Sequence, residues 1–172
     1  VDSPVTGSEE ACTMKEKTLV LLKPDAVQRG IVGDIVSRFE HTGMKIVGLK
    51  MVRVTPEFSK KHYATHVNKP FYTGLEKFIT EGPIIAMVLE GLHAVETVRK
   101  IVGSTEPKSA APGTIRGDYS HHSYAYTDAH GIAIKNLIHA SGTSEEAKTE
   151  VALWFTKEEL HDYTTVHEKH VF

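Results

Sequence analysis

The order in which short apolar strands and amphipathic helices alternate constrains this chain more than any single residue does. Thr18 to Leu22 is a compact apolar run that stops at Lys23-Pro24-Asp25. Proline lacks the N–H that a strand ladder needs, so the run reads as a strand with Lys23 at its end. Val32, Ile35, Val36 and Phe39 recur at helical spacing, with Gly43 placed to end the helix. Met44 to Val54 reads as a long strand. Pro56 to Thr65 and Phe71 to Thr80 read as helices, the second closed by Glu81-Gly82-Pro83. Ile84 to Glu90 is apolar almost throughout, as a central strand is. Leu92, Val95, Val98 and Val102 mark another helix, and Leu137 to His139 a short strand. Thr143 to Phe155 completes the set as a helix opened by a capping box of Thr143 and Glu146.

The pattern is that of an α+β fold, ferredoxin-like in its β-α-β-β-α-β order, which predicts one antiparallel sheet with helices packed on one face. A chain of 172 residues suffices for a single domain with tails, and it buries roughly two-thirds of its unfolded surface without a disulfide or metal staple. A net charge of −2 gives no global reason to bind nucleic acid, so any anion site must rest on a few local cations. The one cysteine, Cys12, cannot form an internal disulfide, which points to a reducing, cytoplasmic compartment. The longest apolar runs are too short to span a bilayer. Residues 1–16 read as a flexible N-terminal tail without a secretory signal, and residues 17–172 as the domain.

Several phosphate-binding and catalytic motifs are missing. There is no G-x-x-x-x-G-K-[ST] loop, no G-x-G-x-x-G after a strand and no protein-kinase motif set. His167-Glu168-Lys169-His170 is not H-E-x-x-H, and it reads as a solvated tail, as does His121-His122. What stands out is Lys135-Asn136-Leu137-Ile138-His139-Ala140-Ser141. A histidine at a strand end, partly uncharged near neutral pH and flanked by groups that orient its ring, is suited to accept a group and pass it on. Three cations accompany it: Lys23, Arg99 after the central strand, and Arg116 in Gly113-Thr114-Ile115-Arg116-Gly117-Asp118. Arginine's planar fork matches phosphate oxygens, and glycines beside it let the backbone approach a charged ligand.

Together, Lys-Pro-Asp after the first strand, the Gly-Thr-Ile-Arg-Gly-Asp loop and Asn-Leu-Ile-His-Ala-Ser closely resemble the signature of the nucleoside diphosphate kinases. The resemblance runs from about Lys17 to Tyr163. It takes in Val27-Gln28-Arg29-Gly30, His62-Tyr63, Pro70-Phe71, Glu81-Gly82-Pro83 and Leu153-Trp154-Phe155. It implies transfer of a γ-phosphoryl group between nucleoside tri- and diphosphates by a ping-pong route with broad base specificity. His139 would be the nucleophile, Glu150 would orient its ring, and Ser141 would lie close by. Lys23, Tyr63, His66, Arg99, Thr105, Arg116 and Asn136 would form the nucleotide and phosphate shell, with Phe71 stacked on the base. Magnesium would be held mainly through the nucleotide phosphates, with no metal-ligating residue of the chain's own. A homo-oligomer (hexamer, tetramer or dimer) is also implied.

Two departures from the family pattern stand out. The acidic residue usual after the motif serine is replaced by Gly142, which suggests a looser loop after His139. The connection from Arg116 to Asn136 is longer than usual, with extra residues within 119–134. Alternating aromatic and polar types with a glycine at the turn predict an added hairpin there, placed beside the nucleotide cleft or at a subunit contact. Two rivals rank lower. A non-catalytic regulator has no need of His139, and an RNA-recognition module lacks here both its aromatic sheet motif and a basic stripe.

Overall fold

The computed structural model describes residues 14–166 and 168–171. Cys12, His167 and most of the expected tail lie outside the described residues. Strands β1 (Lys15–Leu22), β2 (Lys45–Arg53), β3 (Pro83–Leu92) and β4 (Ile138–Ala140) form one antiparallel sheet in the order β2-β3-β1-β4. Strand β1 begins inside the expected tail, because Lys15 and Glu16 pair with Leu92 and Gly91. The helices in chain order are α1 (Pro24–Gln28), α2 (Val32–Glu40), α3 (Pro56–His62), α4 (Tyr72–Thr80), α5 (Ala94–Val102), α6 (Ile115–Tyr119), α7 (Tyr124–His130), α8 (Ser144–Trp154) and α9 (Glu168–Val171). The α+β class is as the sequence pattern predicts, and among the described residues no helix is long and apolar enough to cross a membrane.

Helices cover both faces of the sheet, not one. Val20 and Leu22 of β1 pack with Ile35 and Phe39 of α2 and with Val98 and Val102 of α5. Leu19 and Leu21, which point the other way, pack with Tyr72 and Ile79 of α4 and with Trp154 of α8. Alternate residues of a strand face opposite sides, so an unbroken apolar run already demands two covers. That requirement is why β1 and β3 lie in the middle of the sheet.

Two further expectations are corrected. The added segment is helix α7, not a hairpin. Ser123 Oγ accepts the Tyr126 N–H at the N-terminus, and Gly131 ends the helix at φ 61°. Its inward residue is Thr127, 3% exposed, whereas Tyr124 and Tyr126 stay 45% and 50% exposed, so the aromatic alternation carried no strand period. At α8, Thr143 Oγ1 accepts the Glu146 N–H as expected, but the Glu146 carboxylate accepts from Gly142 N at 2.9 Å instead of completing a box with Thr143.

The C-terminal segment is tied to the sheet through Lys45. Its buried amine lies 3.0 Å from Glu90 of β3, 3.3 Å from Asp162 and 3.4 Å from Glu168, and it donates to the Tyr163 carbonyl at 2.7 Å. Burial disfavours charge on Glu90, but hydrogen bonds from Lys45 and Lys15 outweigh it and hold the pKa below the usual range. Its contribution is therefore present at neutral pH and lost as pH falls through that depressed value. Lys45→Met should cost about 3 kcal/mol in denaturant unfolding at pH 7, and the difference from wild type should narrow in acid as Glu90 takes up a proton.

Candidate active site

The site is built around the start of β4. Leu137 sits at φ 69°, and Ile138 N–H donates to the Asn136 carbonyl across it at 2.8 Å. An i→i+2 bond with positive φ is the strained form of the γ-turn, and a branched residue there needs support. Asp25 of α1 accepts the Leu137 N–H at 3.0 Å, and the Leu137 carbonyl accepts Lys23 N–H at 2.8 Å. The flanking carbonyls of Asn136 and Ile138 accept from Arg116 Nε and Nη2 at 3.1 and 2.6 Å. Both backbone polar groups of Leu137 and the carbonyls on either side of it are engaged, and the next residues bring His139 opposite Leu21 in β1.

His139 Nε2 lies 3.0 and 3.1 Å from the two carboxylate oxygens of Glu150 on α8. Ser141 Oγ donates to the same carboxylate at 2.6 Å. Burial would raise the Glu150 pKa, but hydrogen bonds from His139 and Ser141 bring it below the ordinary value, so the group is ionised and accepts only. The imidazole proton is therefore on Nε2, and the lone pair is on Nδ1. Behind this ring lies His62, 4.8 Å away centroid to centroid and edge-on. Its Nδ1 accepts the Trp154 indole N–H at 3.2 Å. Burial, then the neighbouring His139, pushes the His62 pKa down to about 3, so it stays neutral. Asp25 and His62 are residues of this site that the motifs contained but that sequence reasoning gave no role. His62, His139 and Glu150 are also the one group of potential metal ligands among the described residues, and contacts with the protein engage all three.

A cavity of about 820 Å³ opens in front of His139, within the range of ligand pockets. Lys23, Tyr63, His66, Phe71, Arg99, Thr105, Arg116 and Asn136 all line it, so the structure brings the whole expected shell together. Glu150 and Ser141 are not on its wall but stand behind His139. Lys23 Nζ donates to Asn136 Oδ1 at 2.6 Å, and Asn136 Nδ2 to the Thr105 carbonyl at 2.9 Å. Three of the Arg116 donors hold backbone carbonyls, the third being that of Gly103 at 3.0 Å. Arg116 therefore shapes the wall as well as charging it. Arg99 is exposed, and its guanidinium makes no hydrogen bond or ion pair among the described residues. Gly113 needs its φ of +88°, and a Cβ on Gly117 would run into the Ala111 carbonyl. These glycines serve the loop's own geometry. The loop after Ser141 is not slack either, because a Cβ on Gly142 would come within 2.6 Å of the Glu146 carboxylate that holds its N–H.

Burial, then Arg116, lowers the Lys23 pKa to about 8, with Asp25 opposing. Burial, then Arg99, lowers that of Arg116 to about 10. The cleft thus holds three cations with, among the described residues, no ion pair to any of them, which is a site for a strongly anionic ligand.

The family model described as "Nucleoside diphosphate kinase" matches residues 16–160. The chain belongs to the nucleoside diphosphate kinase family. A relative of that name from Pyrococcus furiosus is 52% identical over 148 residues, covering 86% of this chain and 88% of its own. The enzyme from Borrelia burgdorferi, solved as a transition-state mimic with vanadate and ADP, superposes with a TM-score of 0.89 at 42% identity, covering 92% of this chain and 98% of that one. The Halobacterium salinarum enzyme, solved with CDP, gives 0.82 at 44% identity, covering 92% and 99%. A member of this family is a phosphotransferase that acts on nucleotides, and the cleft's unpaired cations suit the phosphates.

The Lys23 shift sets a pH dependence. Nucleoside diphosphate affinity should fall as pH rises through about 8, because the free protein loses the Lys23 proton and the cleft a positive charge. Calorimetric titrations between about pH 6.5 and 9.5 read this directly, and Lys23→Met should flatten the dependence while weakening binding throughout.

Proposed function

We propose that the protein transfers the γ-phosphoryl group of a nucleoside triphosphate to a nucleoside diphosphate through a phosphohistidine on His139. One observation carries this reading: Nε2 of a cleft-lining imidazole is bound to an ionised carboxylate, which leaves the Nδ1 lone pair as the nucleophile. The Nδ1–P bond forms as the bond from the γ-phosphorus to the bridging oxygen breaks, and the electron pair leaves on the diphosphate. The proton stays on Nε2, where Glu150 stabilises the positive charge that develops on the ring. A second diphosphate then attacks the phosphohistidine and reverses these steps, which makes the route ping-pong. Arg99, Arg116 and Lys23 take up charge on the transferring group, the main requirement of phosphoryl transfer.

Tyr63, His66, Thr105 and Asn136 complete the shell around the phosphates and ribose, and Phe71 stacks on the base. An aromatic face accepts any base, which supports broad specificity. The carboxylates on the cleft wall, Asp128 and Glu146, belong to no group of three potential metal ligands among the described residues, and magnesium binds readily through phosphate oxygens and water. The residues therefore fit a metal that arrives on the nucleotide, where it neutralises phosphate charge. A homo-oligomer is supported by β2, an edge strand that leaves Leu49 and Met51 56% and 60% exposed. The lone Cys12 supports a reducing compartment such as the cytoplasm.

Incubation with γ-labelled ATP and magnesium should give acid-labile, alkali-stable label on the protein, discharged by added diphosphate. His139→Asn should take up none, and Arg99→Gln should slow transfer on the order of a hundredfold. Label that persists on His139→Asn overturns the proposal. For assembly, Leu49→Lys with Met51→Lys should lower the mass found by sedimentation; an unchanged mass removes β2 from the interface.

A further inference from the structure

The segment from Ser120 to Ile134 holds none of the residues assigned above to the phosphates, yet it walls the same cavity. It is held at both ends: Ser120 Oγ donates to the Lys135 carbonyl at 3.2 Å, and Lys135 N–H to His122 Nδ1 at 3.0 Å. Tyr124 N–H donates to the Glu106 carboxylate at 2.9 Å, which pins the start of α7. The return leg reaches α4, where a Cβ built on Gly74 would stand 3.7 Å from Ala133 N. Gly74 lies one turn beyond Phe71. A series of rings connects the nucleophile to that end of the cavity. It runs from His139 through His62, Tyr63 and His66 to Phe71, with successive centroids 4.8, 4.5, 6.3 and 5.7 Å apart.

The Phe71 side of the cavity carries two kinds of group. Phe71 and Ile132 are large, apolar, exposed and both on the cavity wall, which suits a flat apolar occupant. Asp128 lines the same wall, and among the described residues it makes no hydrogen bond or ion pair. An ionised carboxylate accepts only, so it discriminates between ring edges by their donors.

Building on the nucleotide-transfer reading, we infer that α7 and its return leg form a second wall of the base subsite, and that Asp128 ranks the bases in favour of guanine. Guanine presents N1–H and an exocyclic amino group side by side, two donors for two carboxylate oxygens. Adenine and cytosine place an acceptor beside their amino group, which a carboxylate repels. The apolar walls read only the ring, so every base still enters; the carboxylate sets the order among them.

The test is calorimetric titration of GDP, ADP and CDP into wild type, Asp128→Asn and Ile132→Ala, with ATP labelling of His139 run in parallel. Wild type should bind GDP tightest. Asp128→Asn, an isosteric change at an exposed position, should lower GDP affinity about tenfold relative to ADP and CDP. Ile132→Ala should weaken all three alike. Equal changes for the three nucleotides in Asp128→Asn, or no change in Ile132→Ala, overturn the inference while normal labelling leaves the transfer reading intact. Wild type that takes no label on His139 overturns both.

Discussion

The cleft depends on how four backbone groups around Leu137 are satisfied. A three-residue strand cannot by itself place a nucleophile, and a positive φ at a leucine is unfavourable by about 1–3 kcal/mol. The turn persists because Asp25 takes its N–H, Lys23 N–H takes its carbonyl, and the Arg116 fork clamps the carbonyls on either side. Three sequence motifs thus meet at one turn. The same contacts that hold the backbone bring the cations of two of those motifs to the cleft beside His139.

This arrangement concentrates positive charge in a partly desolvated place. Lys23 and Arg116 are buried and both have lowered pKa values, the first to about 8 and the second to about 10. Burial disfavours charge on both, Arg116 adds to the effect on Lys23 and Arg99 to that on Arg116, and an anionic ligand relieves that strain. Behind the imidazole the polarity is reversed. Glu150 is ionised, Ser141 donates to it, and the neutral His62 offers no competing charge. The histidine is therefore held between a wall that favours a positive ring and a cleft that favours a negative substrate. The proposed transfer through a phosphohistidine would draw on both.

Most of the fold was legible because apolar runs and helical spacing report burial directly. The strand at Thr18 to Leu22 and the helix at Val32 to Phe39 needed only that signal. The second covered face was implicit in the unbroken run of β1 but required Tyr72, Ile79 and Trp154, far apart in sequence, to supply the cover. Helix α7 was misread as a hairpin because its tyrosines look outward and its one buried residue, Thr127, is polar. Periodicity cannot report a helix whose inner face is not apolar.

By itself, the sequence determined the order of strands and helices along the chain, the three motifs and the candidate imidazole, because these lie in residue types and local spacing. Only the tertiary structure decided which imidazole nitrogen is free, since that follows from Glu150 on another element. It also showed that Arg116 spends most of its fork on carbonyls, that Asp25 and His62 belong to the site, and that α7 lines the cavity. Each of these rests on contacts between segments distant along the chain, and their direction is set by packing, which no local pattern encodes.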